Sequence, residues 1–193
     1  MLRADEWLFQ AINGLAGKLG PLDRVMAFLA NDYFVVLLMA FTVLAVWFIG
    51  ETPDRRYRLQ TAVLWTAGGI AISNGFIGLF NSFIFRPRPF VYLPAHMLFY
   101  LPHDSSFPSN AAAVGFAAAF GIWLVHRKIG WAMLILAALF AFSRVFVGVH
   151  FPLDVVAGAV LGVVASYVSF MACQLLRPLL SAFLSLARLL RLA

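Results

Sequence analysis

Residues 143–154 read SRVFVGVHFPLD, a short polar passage between two long apolar runs. A proline is tolerated at the first position of a helix and hardly elsewhere in it, so Pro152 opens the second run as a helix and puts Asp154 in its first turn. There the carboxylate complements the positive end of the helix. His150 falls immediately before that turn, close enough for Asp154 to hold one imidazole nitrogen while the other faces outward, the orienting pair that a nucleophilic histidine requires. Ser143 and Arg144 lie about two helical turns back, roughly 9 to 10 Å at 1.5 Å per residue, so a guanidinium reaches the same mouth. Taken singly, a histidine on an apolar helix is usually a satisfied structural residue, and an aspartate after a proline an ordinary helix-start carboxylate. Their spacing makes the block specific.

The flanking runs place the chain in a bilayer. Of 193 residues, 63% are hydrophobic and 11% charged, with a mean hydropathy of +0.92, far too apolar for an ordinary soluble domain. Five runs approach the roughly 18 to 25 apolar residues that a crossing needs: about 33–50, 61–85, 111–126 (short, extendable at its ends), 129–149 and 153–177. Ahead of them, Gly14, Gly17, Gly20 and Pro21 break residues 6–30 into two short helices that read as lying at the interface. After them, PLLSAFLSLARLLRLA puts Arg188 and Arg191 on one face of a leucine-rich amphipathic helix. No repeat or linker interrupts the chain, so residues 1–193 form one domain. The fold expected is an all-α integral membrane protein with five transmembrane helices, amino-terminal interfacial helices and a carboxy-terminal amphipathic helix.

The net charge of +6 comes from short clusters flanking apolar runs, where basic residues meet lipid headgroups, so nucleic acid is not the expected partner. Cys173 stands alone inside an apolar run, which leaves neither a disulfide framework nor a cysteine metal site. The charged start MLRADEWLFQ has no uninterrupted apolar run before a cleavage-type site, so no signal peptide is expected.

Arg55, Arg56 and Arg58, then Arg127 and Lys128, then Arg177, Arg188 and Arg191 alternate correctly to share one side, the cytoplasmic one by the positive-inside rule. The opposite side receives Arg86, Arg88 and Arg144, which that rule alone would not put there. A local reason appears when FRPRPF (85–90), SFPSNA (106–111) and SRVFVGVHFPLD meet at one face. Arginines, a helix amino terminus, a histidine and an aspartate make an anion site with a nucleophile or base inside it. Each part has a bland alternative: Ser109 as a plain N-cap, Arg86 and Arg88 as snorkelling anchors, His96 and His103 as surface residues.

Ser143-Arg144, five residues, His150, three residues and Asp154 match the third signature of the type 2 phosphatidic acid phosphatase (PAP2) superfamily without a gap. Arg88-Pro89 matches the end of its first signature and Pro108-Ser109 the start of its second. With FQAINGLAG, RKIGW and GVHFPLDVVAG around them, the chain resembles the bacitracin-resistance type of undecaprenyl-diphosphate phosphatase over nearly its whole length. The resemblance implies a helical membrane fold in which His150 attacks a lipid-linked phosphate, forms a phosphohistidine and is released by water, with no metal ion or other cofactor. Asp154 would orient His150; Arg86, Arg88, Arg144, Ser109, Asn110, Ser143 and Asn81 would surround the phosphate. The implied partners are membrane lipids and a polyprenyl or phospholipid phosphate, in a bacterial inner membrane with the site facing the periplasm or exterior.

Two positions depart from the pattern. Asn81 stands where the first signature begins with lysine, offering a hydrogen bond without a charge. Ala111 stands where the second ends in the histidine that protonates the leaving group. With everything around it intact, Ala111 resembles an introduced His-to-Ala change more than drift; the alternative is a natural pseudoenzyme that binds lipid phosphate without turnover. A phosphatase of the same fold acting on phosphatidylglycerol phosphate or phosphatidic acid is a further alternative.

Overall fold

A computed structural model of the chain describes residues 3–189, and all regular structure among them is helical. The order is α1 (Arg3–Asn13), α2 (Gly20–Leu29), α3 (Phe34–Val46), α4 (Pro53–Asn81), α5 (Asn110–Trp123), α6 (Arg127–Phe146), α7 (Pro152–Leu175) and α8 (Arg177–Leu189), with a single 3-10 turn at Pro89–Val91. The expected one-face pairing of Arg188 with Arg191 involves a residue outside those described. By length and apolarity α4, α6 and α7 each suffice to cross a membrane, and α2 with α3, bent by 50° at their break, pass together. Among the described residues that makes three helices long and apolar enough to cross, or four spans with the bent pair, against the five expected.

α5 falls short at 14 residues, and its packing explains why. It sits at the centre, against α4, α6, α7 and α3, and its Ala112, Ala113, Ala117 and Ala119 are fully buried. A helix jacketed by protein has no lipid to match, so bilayer thickness does not set its apolar length. Close approach is made by small residues, as in membrane helix pairs generally. A Cβ at Gly158 of α7 would lie 2.3 Å from the carbonyl oxygen of Ser109, and one at Gly162 2.2 Å from that of Ala113. This seam brings the first turn of α5 beside the first turn of α7.

Capping moves two boundaries from their expected places. α4 starts at Pro53 because the Thr52 hydroxyl accepts from the Arg55 N–H, so Arg55, Arg56 and Arg58 ride on its first turns and not in a loop. α6 starts at Arg127, where His126 Nδ1 accepts from the Ile129 N–H. The helix therefore begins with the basic pair that was expected to precede it.

Gly162→Ala should lower the thermal stability of the detergent-solubilised protein, because overpacking typically costs about 1 to 3 kcal/mol. Gly78→Ala, with nothing within 4 Å of the new Cβ, should leave it unchanged or raise it. Equal melting temperatures for the two variants would show that the α5–α7 seam is not close-packed.

Candidate active site at the α5–α7 junction

The turn from α6 into α7 is made by Val147–Phe151, with Gly148 at φ +94, a left-handed conformation that favours glycine. Phe151 is extended and Pro152 opens α7. The Asp154 carboxylate then folds back to accept the Phe151 N–H at 2.9 Å. This short reversal holds His150, which is 3% exposed, against Ser106.

His150 Nδ1 lies 2.9 Å from the carbonyl oxygen of Ser106. A carbonyl only accepts, so Nδ1 carries the proton and Nε2 presents its lone pair, with Arg88 Nη1 at 3.4 Å. Asp154 was expected to hold the imidazole directly, but its Oδ2 stands 3.7 Å from Nδ1, too far for a hydrogen bond. It works one step back, accepting from the Ser106 hydroxyl and so fixing the residue whose carbonyl holds the ring. Burial lowers the imidazole pKa to about 4; Arg88 and Arg144 push the same way, while Asp154 opposes. The ring is neutral above that value and charges only as the pH falls through it.

The three outward arginines divide. Arg88, 4% exposed, donates from Nη1 to the Val149 carbonyl at 2.8 Å and from Nη2 to Asp104 at 2.8 Å. Arg144 donates from Nη1 to the Ala30 carbonyl and to Asp32, both at 2.7 Å, lies over the Phe99 ring, and has a buried Nε with no partner. Both border a cavity of about 680 Å³ whose lining includes His150, Asn81, Asn110, Tyr100, Asp32 and Asp104 among its polar residues and Ala111, Val36, Ile70, Ile77, Val114 and Phe140 among its apolar ones. Arg86, expected on the phosphate, is elsewhere: it is ion-paired with Asp5 and Asp154 behind the histidine. Burial of Asp154 drew it there, since a buried carboxylate needs a cation.

Two other expected phosphate ligands are also absent from the cavity wall. Ser143 is fully buried and donates to the Phe140 carbonyl, and Ser109 caps α5 while its N–H donates to the Asp154 carbonyl at 2.9 Å. Asn81 borders the cavity with a buried, unpartnered Oδ1. Sequence reasoning passed over Asp5, Asp32, Asp104, Ser106 and Tyr100, whose hydroxyl donates to Asp32. One signal was available: the chain has only eight acidic residues, and arginines placed against the positive-inside rule call for counter-charges.

Residues 62–177 match the PAP2 superfamily model. The chain belongs to the PAP2 superfamily. Among its relatives, the undecaprenyl-diphosphatase BcrC of Bacillus subtilis (strain 168) is 35% identical over 173 residues, 89% of this chain and 85% of that protein. The crystal structure of Aquifex aeolicus LpxE superposes with a TM-score of 0.65 at 29% identity, covering 85% of this chain and 93% of the other. A PAP2-type phosphatidylglycerolphosphate phosphatase from Bacillus subtilis shares the fold with a TM-score of 0.63 at 23% identity, over 89% and 85% of the two chains. The PAP2 match spans the segments that supply Arg86, Arg88, Ser106, Arg144, His150 and Asp154, while Asp5 and Asp32 lie before it.

Two measurements check this geometry. Arg88→Ala and Arg144→Ala should each weaken orthophosphate binding by roughly tenfold or more, because a charge-assisted hydrogen bond contributes about 1.5 to 3 kcal/mol, and Arg56→Ala at the far end should change nothing. In ¹⁵N-histidine spectra, His150 should keep its Nδ1–H tautomer as the pH passes through about 6.5, where an unperturbed histidine gains its second proton. Titration of His150 at that value would contradict its buried placement.

Proposed function

We propose that the chain removes the terminal phosphate of undecaprenyl diphosphate at the outer face of a bacterial inner membrane. The supporting observation is a neutral imidazole, its Nδ1–H taken by a backbone carbonyl and its Nε2 at the edge of a cavity bordered by Arg88 and Arg144. In this reading the two guanidiniums receive the terminal phosphate, and the Nε2 lone pair attacks its phosphorus. The bond from phosphorus to the bridging oxygen breaks, the electron pair leaving with undecaprenyl phosphate. Water then attacks the phosphohistidine, the P–N bond breaks, and orthophosphate and neutral His150 are regenerated. The apolar lining of the cavity, with Ile70, Ile77 and Phe140, suits the first isoprene units.

The topology that goes with this reading has five crossings, α3 (extended by α2), α4, α5, α6 and α7, with α1 at the outer interface. The ends of α4 and α6 and the starts of α5 and α7 share the site, while Arg55, Arg56, Arg58, Arg127 and Lys128 lie at the opposite ends of α4 and α6, and Arg177 opens α8 just past the opposite end of α7. That distribution favours the site facing outward. A cysteine introduced at His103, an exposed position between α4 and α5, in a Cys173→Ser background should react with an impermeant reagent in intact cells, and those at the exposed Arg56 and Lys128 should not. The reverse pattern would invert the orientation.

Ala111 borders the cavity from the first turn of α5, and its methyl group has no proton to give. A general acid contributes about 10² to 10⁴-fold, so the chain as it stands should turn over slowly, less impaired on a diphosphate than on a monophosphate ester because phosphate departs more readily than an alkoxide. The same residue supports a second reading, a binder of lipid phosphate without turnover. Phosphate release from undecaprenyl diphosphate separates the two. Ala111→His should restore it by at least about 10²-fold, and adding His150→Ala should abolish it. No gain from Ala111→His would favour the binder; activity in the double variant would remove His150 as nucleophile.

A further inference from the structure

Asp5 belongs to the first turn of α1, which precedes the segment matched by the family. Its side chain is 1% exposed, as buried as the core aspartate it helps to hold. Oδ2 accepts from Arg86 Nη2 at 2.7 Å, and Oδ1 accepts from the backbone N–H of Leu153 at 2.9 Å, in the first turn of α7. One face of α1 supports this placement. Phe9 packs on Phe151 with ring centroids 5.5 Å apart, and Asn13 Nδ2 donates to the carbonyls of His96 and Phe146 at 2.9 and 2.8 Å. Asp5, Phe9 and Asn13 follow one another at intervals of four, so α1 is docked along its length behind the turn that carries His150.

The charges behind the imidazole then add up differently from a simple Arg86–Asp154 pair. Arg86 alone would cancel Asp154, leaving His150 in front of a neutral pair. With Asp5 on the other side of the same guanidinium, the buried set carries one net negative charge. The sign matters because the imidazole becomes cationic as Nε2 bonds to phosphorus, and a nearby negative charge favours that cation. Resting on the reading of His150 as nucleophile, the geometry points to Asp5 as a positioning residue: its carboxylate, shared between Arg86 and the start of α7, keeps the buried charge behind His150 negative and stabilises the imidazolium that forms during phosphoryl transfer.

Two inorganic anions separate this role from mere support. Orthovanadate forms a five-coordinate adduct with a nucleophilic imidazole nitrogen and so reports the transition state, whereas orthophosphate reports only the arginines. Neither needs a general acid, so the chain can be used with Ala111 in place. Asp5→Asn, which keeps an acceptor for Leu153 but loses the charge, should weaken orthovanadate about tenfold, the effect of one pKa unit on the imidazolium, with orthophosphate held within about twofold. Asp5→Ser should do the same, and Asp5→Glu should keep the parent ratio. Unchanged affinities, or equal weakening of both anions, would overturn the proposal. So would failure of both uncharged variants to fold while Asp5→Glu folds, since Asp5 would then be an anchor only. If the parent binds orthovanadate no better than its His150→Ala variant does, the nucleophile reading falls first and takes this one with it.

Discussion

A carboxylate sealed from water dictates the outward end of this molecule. Asp154 has no exposed side-chain surface, and an ionised carboxylate there is tolerable only with its lone pairs taken up by donors and its charge met by a cation. The donors come from three places. Arg86 arrives from the segment after α4, the Ser106 hydroxyl from the stretch before α5, and the Phe151 N–H from the turn before α7. Even the Asp154 backbone takes part, its carbonyl accepting the Ser109 N–H. Satisfying one aspartate therefore draws together the three blocks on which the chemistry rests. The histidine is positioned as a by-product, since the Ser106 that serves Asp154 with its hydroxyl serves His150 with its carbonyl.

The remaining arginines follow the same logic with a different outcome. Arg88 and Arg144 are each paired with an acidic residue, Asp104 and Asp32, but those partners are 71% and 34% exposed in their side chains whereas the guanidiniums are nearly sealed. The more exposed of the two, Asp104, can return to water readily, whereas a sealed guanidinium needs another acceptor in its place. Under the proposed reading, a phosphate entering the cavity takes the place of these aspartates, with more charge and more acceptor oxygens than either. Arg86 has no such freedom, since both its partners are buried. Burial of the counter-ion, and not the arginine itself, separates Arg86 from the two arginines that border the cavity.

That distinction explains what could be read from the chain in advance. The apolar runs that became α3 to α7 were legible because bilayer and core both select long hydrophobic stretches, and the spacing from Ser143 to Asp154 was legible because it is local to one turn. Boundaries shifted where a single side chain capped a helix, at Thr52 and at His126. Arg86 and Arg88 could not be told apart in the sequence because they have the same chemistry at almost the same place, and only the third dimension shows which borders the cavity. Asp5 was invisible for the same reason: 148 residues separate it from Leu153, and nothing in the periodicity of α1 records that its polar tip points inward.

The position of Ala111 shows how cleanly fold and chemistry part in this site. Alanine is the best helix former, and at 111 it sits in the first turn of α5 with Ser109 still capping and Gly158 still pressed against the Ser109 carbonyl. None of the bonds that satisfy Asp154 passes through residue 111. Its methyl group borders the cavity and packs against the core cluster, and a methyl group at this place is compatible with the scaffold, the arginines and the imidazole as they stand. His150 and Asp154 differ in kind, because their polar atoms are tied into the backbone of neighbouring segments and cannot be removed without orphaning buried partners. The arginines and the imidazole are thus built into the fold, whereas the side chain at 111 makes none of the polar contacts that hold Asp154.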